Sequence, residues 1–435
     1  MIIQYTNKRT DNLRILWLTN IRPQGFGSGK SPTGGGWISG ALESVRKENN
    51  IEIFVAYPLL GAKTIIKENF ENVTLLGFAQ KKKYNVLPSP SHRLSVLAKR
   101  HLREIIDEVK PDILHVFGTE SAHSRYAIEC YSKPERTIIH VQGLVSVIVK
   151  HCEFGIPFWA RHMIVPSFPA RGTLRRIRNR FALAGRDEIE AIKGVDYVMG
   201  RTEWDEACTK AINPSVNYIH CGESLRSVFY EESSQWKYEE CKKHTIYFSQ
   251  SSSQVKGLHL VLPILPQLIK RYPDTHLYIG GNSPVGDKSF KSFIMRSSYG
   301  WYLKHLIKKY KLHNYVTFLG PQSAEQVAQN LKNAHVFLSA SLIENSPNSV
   351  GEAMIVGTPV VSSDVGGVKD FIEHGKNGFI YPMDAPYMIP YYIGKLFEES
   401  ILSQQFSKIG KITSRTAYDT ENNGRAILEA YKTMI

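Results

Sequence analysis

The chain has 435 residues, of which 42% are hydrophobic and 22% charged, and its formal net charge is +14. This length favours two domains, and the composition is that of a globular protein with sizeable cores. Five scattered cysteines argue against a disulfide framework and a zinc cluster. The start lacks a secretory signal, and no apolar run reaches the ~18–20 residues that span a bilayer. We therefore expect a cytoplasmic protein.

Short apolar runs that indicate strands alternate with amphipathic segments that indicate helices. In the first half the predicted strands are Arg14–Leu18, Ile51–Ala56, Ile113–Phe117, Thr137–Val141 and Tyr197–Met199, and the predicted helices are Ile38–Lys47, Arg93–Val109 and Ser121–Cys130. In the second half the predicted strands are Thr245–Phe248, Leu277–Ile279, Val316–Leu319, Val336–Ser339 and Val360–Ser362, and the predicted helices are Leu258–Lys270, Tyr302–Lys309, Ala324–Leu331 and Ser349–Val356. This alternation predicts an α/β fold with parallel sheets.

Residues 223–244 are polar, charged and poor in apolar periodicity, so we interpret them as an interdomain linker. They would separate a Rossmann-like N-terminal domain, 1–222, from a Rossmann-like C-terminal domain, 245–419. Residues 420–435 are expected to form a helix that docks back on the first domain. Two such domains face each other across a cleft, and open α/β sheets bind ligands at the carboxyl ends of their strands.

The most informative stretch is Ser341–Tyr381, where a strand runs into a polar loop and a helix follows. Glu344 and Glu352 lie on either side of seven residues, so two carboxylates can face one ligand. Carboxylates accept hydrogen bonds and therefore suit hydroxyl-rich ligands such as a sugar or a ribose. Free N–H groups at the helix start suit a diphosphate. Ser349 and Glu352 also have the spacing of a capping box, which alone would explain both residues.

This stretch resembles glycosyltransferase family 4, the retaining enzymes of the GT-B fold, and is similar to bacterial members that build surface polysaccharides. The residues that carry the resemblance are the two glutamates, Ala353-Met354, Gly357, Pro359-Val360-Val361, Gly366-Gly367, Gly375 and Gly378. It implies that Glu344 acts at the donor sugar as a catalytic residue and that Glu352 holds the ribose hydroxyls. It also implies that the following residues meet the sugar and diphosphate of the donor: Asn345, Ser346, Asn348, Ser349 and Val350. Many relatives have glycine in place of Pro347, which has no N–H to donate, although a Pro-Asn variant also occurs in the family.

A second candidate group is Lys256-Gly257, between a predicted strand and a predicted helix. The lysine supplies a positive charge and the glycine permits close backbone approach to a diphosphate; a helix-entry turn with a solvated lysine is the alternative. In the family the matching lysine binds the diphosphate together with an arginine about five residues earlier. That position is Ser251 here, so either Lys256 acts with backbone groups or Arg201 replaces the arginine.

Glycines 34–36 precede the first predicted helix, and a flexible loop is the alternative explanation for them. The resemblance places Gly35 and Gly36 beneath the donor diphosphate. No G-x-G-x-x-G fingerprint occurs in this turn, which argues against a dehydrogenase.

Two strand ends in the first half carry polar residues. A lone histidine at such a position is more often packed than catalytic, but the family places one near the donor sugar, so we assign His140 a positioning or acid–base role. His115, Thr119 and Glu120 form a similar group, which we place on the acceptor side. Glu120 is either a base or an ordinary helix-starting glutamate.

Residues Arg171–Arg186 include six arginines and no acidic residue. Leu174, Ile177 and Phe181 recur at helical spacing, so a helix there would have one apolar face flanked by cations. Such a helix suits an anionic inner-membrane surface or a lipid-linked diphosphate acceptor; the alternative is a solvated helix whose apolar face packs on its domain. We find no nucleic-acid-binding signature to explain the charge.

The sequence therefore predicts a hexosyltransferase-type glycosyltransferase. It would move a sugar from a UDP- or GDP-sugar to a lipid-linked or glycan hydroxyl in O-antigen, capsule or exopolysaccharide synthesis. The resemblance implies retention and neither a metal nor a cofactor. The alternatives are a nucleotide-sugar epimerase or hydrolase of the same fold and a non-catalytic sugar-nucleotide- or glycan-binding protein. Location is predicted to be cytoplasmic, peripheral on the plasma membrane.

Overall fold

The computed structural model describes residues 12–26, 36–80, 96–165, 173–286 and 289–435. In this part of the chain the strands form two sheets, of eight and six strands, each covered by helices. The predicted α/β architecture of two Rossmann-like, parallel-sheet domains is confirmed. None of the helices in these ranges is both long and apolar enough to cross a bilayer.

The first sheet has the order β3-β4-β2-β1-β5-β6-β7-β8, and all neighbouring strands are parallel except the β3–β4 hairpin. Central strands such as β5 are buried throughout because helices cover both faces. The strands are β1 Leu13–Leu18, β2 Ile51–Leu60, β3 Ile66–Phe70, β4 Val73–Gln80, β5 Ile113–Phe117, β6 Thr137–His140, β7 Tyr197–Gly200 and β8 Asn217–His220. The helices are α1 Gly36–Val45, α2 Val96–Val109, α3 Ala122–Tyr131, α4 Val145–His151, α5 Phe158–His162, α6 Leu174–Lys193 and α7 Glu203–Ile212.

The second sheet is parallel throughout, with the order β11-β10-β9-β12-β13-β14. Its strands are β9 Lys242–Phe248, β10 His276–Gly280, β11 Val316–Gly320, β12 Ala334–Ser339, β13 Val360–Asp364 and β14 Phe379–Pro382. The helices of this half are α8 Leu258–Val261, α9 Leu265–Arg271, α10 Phe290–Met295, α11 Ser298–Lys309, α12 Ala324–Asn333, α13 Asn348–Val356, α14 Ile389–Glu398 and α15 Ser400–Ala417.

The last helix, α16 (Thr420–Thr433), packs against α1 and the first sheet. Its Tyr431 is buried, and the Tyr431 hydroxyl accepts a hydrogen bond from Trp17 Nε1 at 2.8 Å. In its first turn this helix passes beside the segment that left the first domain: Asn423 Nδ2 donates to the Glu223 carbonyl oxygen at 3.0 Å. Helix α16 therefore contributes to the core of the first domain.

Two of the sequence-based expectations differ from the structure. The predicted helix Leu258–Lys270 is divided into α8 and α9, because Pro263 has no N–H to donate to the preceding turn. Much of residues 223–244 packs on the second domain: Phe229 and Trp236 are buried in the same core as Tyr247, and β9 already begins at Lys242.

The carboxyl ends of the two sheets meet. Thr202, which follows β7, donates its hydroxyl to the Asn345 carbonyl oxygen in the loop after β12, at 3.3 Å. The N–H of Glu203 donates to the Asp370 carboxylate at 2.8 Å. Elsewhere, Leu174 at the start of α6 is buried within the second domain's core. The two domains thus share contacts on both sides of the predicted cleft.

Candidate functional site

The turn that carries Lys256 lies directly against the loop that follows β12. Leu342 donates its N–H to the Val255 carbonyl oxygen at 2.7 Å. Gly257 has a φ of 73°, and a Cβ atom there would collide with the Ala340 carbonyl oxygen. Only glycine allows this approach without strain, and it brings Lys256 within reach of Glu344.

Lys256 and Glu344 form an ion pair through Nζ and Oε1, with side chains that are 27% and 12% exposed. The Ser341 hydroxyl donates to the same carboxylate oxygen at 2.6 Å. The Glu344 carbonyl oxygen accepts the Gly367 N–H at 3.1 Å, so its backbone is fixed as well. The structure thus brings together the sequence-predicted cation and carboxylate at the edge of the second sheet, and leaves Oε2 without a partner among the described residues.

Helix α13 begins at Asn348, with Pro347 at the N-cap and no side-chain cap. Ser349 lies inside the helix rather than at its cap, so the capping-box explanation of Ser349 and Glu352 is wrong. Val350 is buried and donates its N–H to the Pro347 carbonyl oxygen at 2.9 Å. Its amide is therefore engaged within the first turn, contrary to the expectation of a free N–H at this position.

The loop residues expected to meet the donor are held by the first domain. Asn345 and Ser346 are buried, and the Asn345 side-chain amide donates to the buried Asp205 carboxylate. The Asn348 amide donates to the Glu223 carboxylate. In this conformation both asparagine side chains hold the β12–α13 loop against residues of the other half of the chain.

Arg201 is paired within the protein. Its Nη1 lies 2.6 Å from Glu223 Oε2, and the two side chains are 3% and 1% exposed. Nη2 also donates to the Gln142 carbonyl oxygen at 3.3 Å. A buried charge must be compensated locally, and Glu223 does this. The suggestion that Arg201 replaces the family's arginine therefore does not fit this arrangement.

Glu352 pairs with Arg226, whose Nη2 lies 3.0 Å from Glu352 Oε1. Burial raises the pKa of Glu352, and the Arg226 charge and hydrogen bond oppose that rise. Ser251, at the position where the family has arginine, is fully buried and carries no charge. The cation next to the expected ribose site comes from residues 223–244 instead.

His140 is 2% exposed at the end of β6. It lines a small cavity together with Glu223 and Ser224 from the interdomain segment and Ala41 from α1. Burial and then the charge of Arg201 lower the pKa of His140 to about 3. The imidazole is therefore neutral at physiological pH, which suits a hydrogen-bonding role better than that of a proton donor.

Two residues of the predicted acceptor-side group are internal. His115 is 0% exposed, and its Nδ1 lies 2.6 Å from the Tyr431 hydroxyl of α16. Thr119 donates to Glu188 at 2.9 Å, and that carboxylate accepts the Val145 N–H at the start of α4. Both side chains are engaged in stabilising the first domain and do not reach the cleft surface.

Glu120, the third member of that group, is partly exposed. Its Oε2 accepts a hydrogen bond from Asn20 Nδ2 at 2.7 Å, and Asn20 Oδ1 lies 3.0 Å from His123 Nε2. Burial is the main cause that raises the pKa of Glu120 to about 7. A carboxyl with that pKa can exchange a proton near neutral pH.

Gly35 lies outside the described residues, and Gly36 is the first residue of α1. That helix reaches the interdomain segment, since a Cβ atom on Gly40 would meet Ser224. Helix α1, which Gly36 begins, therefore lies beside the cavity that contains His140.

Of the basic segment Arg171–Arg186, residues 171 and 172 lie outside the described residues, and the rest forms most of α6. Leu174 is buried and Ile177 packs on the second domain's core. The apolar face is therefore packed, as the alternative expected, but on the core of the second domain and not on that of its own domain. The helix keeps Arg175 and Arg176 exposed.

Sequence reasoning missed three charged residues at this site: Asp205, Glu223 and Arg226. A signal existed for Asp205, because Thr202-x-x-Asp205 is a capping pattern after a strand, and the Thr202 side chain accepts the Asp205 N–H. Glu223 and Arg226 lay in the supposed linker. Within the described ranges, no group of three or more His, Cys, Asp or Glu side chains is placed to hold a metal ion.

The region that contains Lys256, Glu344 and Glu352 is also the part of the chain that matches a known protein family. Residues 231–413 match the family of group 1 glycosyl transferases. A curated relative, the D-inositol 3-phosphate glycosyltransferase of Corynebacterium urealyticum, is 26% identical over 185 residues, which are 42% of this chain and 41% of that protein. The chain spans about half or less of the length of the curated relatives it matches.

Solved structures resemble almost the whole chain. Sucrose-phosphate synthase from Thermosynechococcus elongatus matches with a TM-score of 0.69 and 14% identity, covering 97% of this chain and 98% of that one. Anabaena HepE in complex with UDP and glucose matches with a TM-score of 0.63 and 16% identity, covering 97% and 100%. At such identities the likeness shows the fold, which is GT-B.

Proposed function

We propose that this chain is a glycosyltransferase that moves a hexose from a nucleoside diphosphate sugar to a hydroxyl acceptor, with retention and without a metal. The observation that carries the proposal is the cluster at the edge of the second sheet. Lys256, Glu344 and the start of α13 adjoin there, and Glu352 lies one helical turn further. The match of this region to group 1 glycosyl transferases supports it, as does the UDP held by HepE.

The cluster suits a ligand that combines hydroxyl groups with a diphosphate. Glu344 Oε2 is available to accept a hydrogen bond from a sugar hydroxyl, and Glu352 can do the same for a ribose. Lys256 can then turn from Glu344 to the diphosphate, where its charge stabilises the leaving group. His140, as a neutral imidazole, orients the donor sugar from the first domain.

In the reaction the bond between the anomeric carbon and the diphosphate oxygen breaks. A bond to the acceptor oxygen forms on the same face, and the acceptor's proton leaves with the nucleoside diphosphate. Domain contacts through Asn345 and Asn348 hold the donor loop close to the first domain, which excludes water and aligns the two substrates.

We propose a lipid-linked glycan acceptor at the inner face of the plasma membrane, in the synthesis of a surface polysaccharide. Phe158, Trp159 and Ile164 are exposed in or just after α5, by 72%, 46% and 86%. Exposed Arg175 and Arg176 lie on α6, which contacts α5. Aromatic side chains beside cations suit an anionic lipid surface.

A thermal-shift screen against UDP, GDP, ADP and their sugars tests the donor. We expect one nucleotide and its sugar to raise the melting temperature, because ligands that bind the native state stabilise it. Chromatography of the product with and without an acceptor then separates transfer from hydrolysis or epimerisation. If no nucleotide or sugar nucleotide bound at saturating concentration, the proposal would be wrong.

Sedimentation with vesicles tests the membrane surface. We expect binding to vesicles with anionic lipid at low salt, and loss of binding in the double variant Phe158→Ser/Trp159→Ser. Tyr387→Ser/Tyr391→Ser is the matched control, since these aromatics are also exposed but lie near the start of α14. Equal sedimentation of all three proteins would contradict this surface.

A further inference from the structure

The Arg226 side chain stacks on a buried aromatic ring next to Glu352. It lies in the segment between β8 and β9, and its guanidinium carbon is 5.0 Å from the centre of the Phe229 ring. Phe229 is fully buried in a core cluster that also contains Val350 and Ala353 of α13. A guanidinium that stacks on a fixed aromatic ring loses less freedom when it forms a hydrogen bond. Arg226 is thus preorganised toward the helix that carries Glu352.

The contact engages one side of the Glu352 carboxylate. Arg226 Nη2 lies 3.0 Å from Oε1, and Oε2 has no partner among the described residues. The Glu352 side chain is 15% exposed, so Oε2 remains open to a ligand. A carboxylate held this way offers its second oxygen in a fixed direction.

Arg226 also influences whether the Glu352 carboxylate is ionised. Burial disfavours the ionised carboxylate, and Arg226 is the charged group that opposes this effect. Among the described residues, the hydroxyls of Tyr247 and Tyr418 also face Glu352, and burial raises the pKa of both, so they are neutral near pH 7. Without Arg226 the ionised carboxylate would lose the cation that pairs with it.

We propose that Arg226 is a positioning residue that keeps Glu352 ionised and turns its free oxygen toward the 2′ and 3′ hydroxyls of the donor ribose. This inference rests on the proposed function, because it assumes that a nucleotide occupies the site. It assigns to the interdomain segment a part in donor recognition, in addition to joining the domains.

Calorimetric titration with UDP and with 2′,3′-dideoxy-UDP tests the inference, with the guanosine or adenosine pair substituted if the screen selects GDP or ADP. We expect the wild type to bind UDP roughly 10- to 100-fold more tightly than the dideoxy compound, as for hydrogen bonds to a charged group. Arg226→Ala and Arg226→Gln should lose most of this preference while binding the dideoxy compound as before. Arg226→Lys should restore part of it.

The pH dependence provides a second readout. The quantity compared is the preference for UDP over the dideoxy compound, because the terminal phosphate of both compounds titrates at about pH 6 and its effect cancels in the ratio. Loss of the Arg226 charge raises the pKa of Glu352 further, so this preference should fall more steeply in Arg226→Gln than in the wild type as the pH decreases from 8 to 6. Arg271→Ala is the matched control, because Arg271 also pairs with a glutamate of the same domain, Glu398, but is 64% exposed.

Three outcomes of the titrations would contradict either the role of Arg226 or the proposed function. Unchanged UDP binding in both neutral variants would overturn the inference. An equal loss for UDP and the dideoxy compound would place Arg226 on the diphosphate and also overturn it. A wild type that bound neither compound nor any other nucleotide would instead refute the proposed function.

Discussion

Glu223 Oε2 lies 2.6 Å from Arg201 Nη1, in an ion pair that solvent barely reaches. The same carboxylate oxygen accepts the Asn348 amide, so one acidic residue joins the end of β7 to the start of α13. Removing Arg201 leaves the buried Glu223 carboxylate without the cation that pairs with it, and removing Glu223 leaves the buried Arg201 with the charge of Asp205 but without its ion pair.

We expect Arg201→Ala and Glu223→Gln each to lower the free energy of unfolding by about 3–5 kcal/mol, the usual cost of breaking a buried ion pair. Denaturant unfolding measures this change. Arg14→Ala is the control, because its ion pair with Glu52 is exposed and should contribute less than about 1 kcal/mol. If Arg201→Ala were as stable as the wild type but bound the nucleotide weakly, Arg201 would instead be assigned to the donor site.

Lys256→Ala should weaken the binding of the nucleoside diphosphate by roughly 10- to 100-fold, because a charge-assisted hydrogen bond to the phosphate is lost. The free nucleoside should bind as before. Titration of both ligands at two salt concentrations measures the change, and the variant should show the weaker salt dependence. Equal affinities for the diphosphate in variant and wild type would remove Lys256 from the phosphate site.

Glu344→Gln should reduce the rate of sugar transfer by at least about tenfold, since the neutral amide binds a sugar hydroxyl less strongly than a carboxylate does. The far-ultraviolet circular dichroism spectrum should not change. Glu373→Gln, on a side chain that is 67% exposed, is the matched control. The assignment fails if Glu344→Gln transfers sugar as fast as this control.

His140→Asn should lower the transfer rate but leave the shape of its pH profile between pH 5 and pH 8 unchanged. The pKa of His140 is about 3 because the ring is buried and faces Arg201, so the wild-type ring does not titrate in this range. Initial rates measured across the range check this. A limb of the wild-type profile near pH 6.5 that disappears in the variant would contradict a neutral His140.

Glu120→Gln should change how stability depends on pH. The pKa of Glu120 is about 7 when folded, against about 4.5 when unfolded. The folded state therefore binds the proton more tightly, and the wild type loses stability as the pH rises from about 4.5 to about 7. Because glutamine resembles the protonated acid, the variant's stability relative to the wild type should increase over this interval and level off above it. Denaturant unfolding at several pH values tests this; a constant difference would contradict a raised pKa of Glu120.

Most buried strands and their helices were predictable because their apolar runs reflect the two-sided burial of a parallel sheet. In the first-sheet hairpin, β3 (Ile66–Phe70) was missed because it is a largely exposed edge strand whose polar residues give no alternating signal. β8 (Asn217–His220) was missed for a similar reason, as none of its residues is fully buried. β4 (Val73–Gln80) was missed although its apolar run is buried.

The residues of the candidate site that belong to local sequence motifs were predictable. Glu344 and Lys256 were identified from their positions after strands together with the family resemblance, and the fold brings them together. The partners of the loop were not predictable, because the contacts between Asn345 and Asp205 and between Asn348 and Glu223 join residues more than a hundred positions apart. Arg226 was overlooked because a charged, aperiodic stretch is typical of a linker.

The chain crosses between the domains twice, after β8 and again before α16, and the Asn423–Glu223 hydrogen bond joins the two crossings. Any opening of the cleft must therefore bend both interdomain crossings near this hydrogen bond. Such a motion must also accommodate α6, because its Leu174 is buried in the core of the second domain. Shortening the chain at its end would thus alter how the halves move as well as how one of them folds.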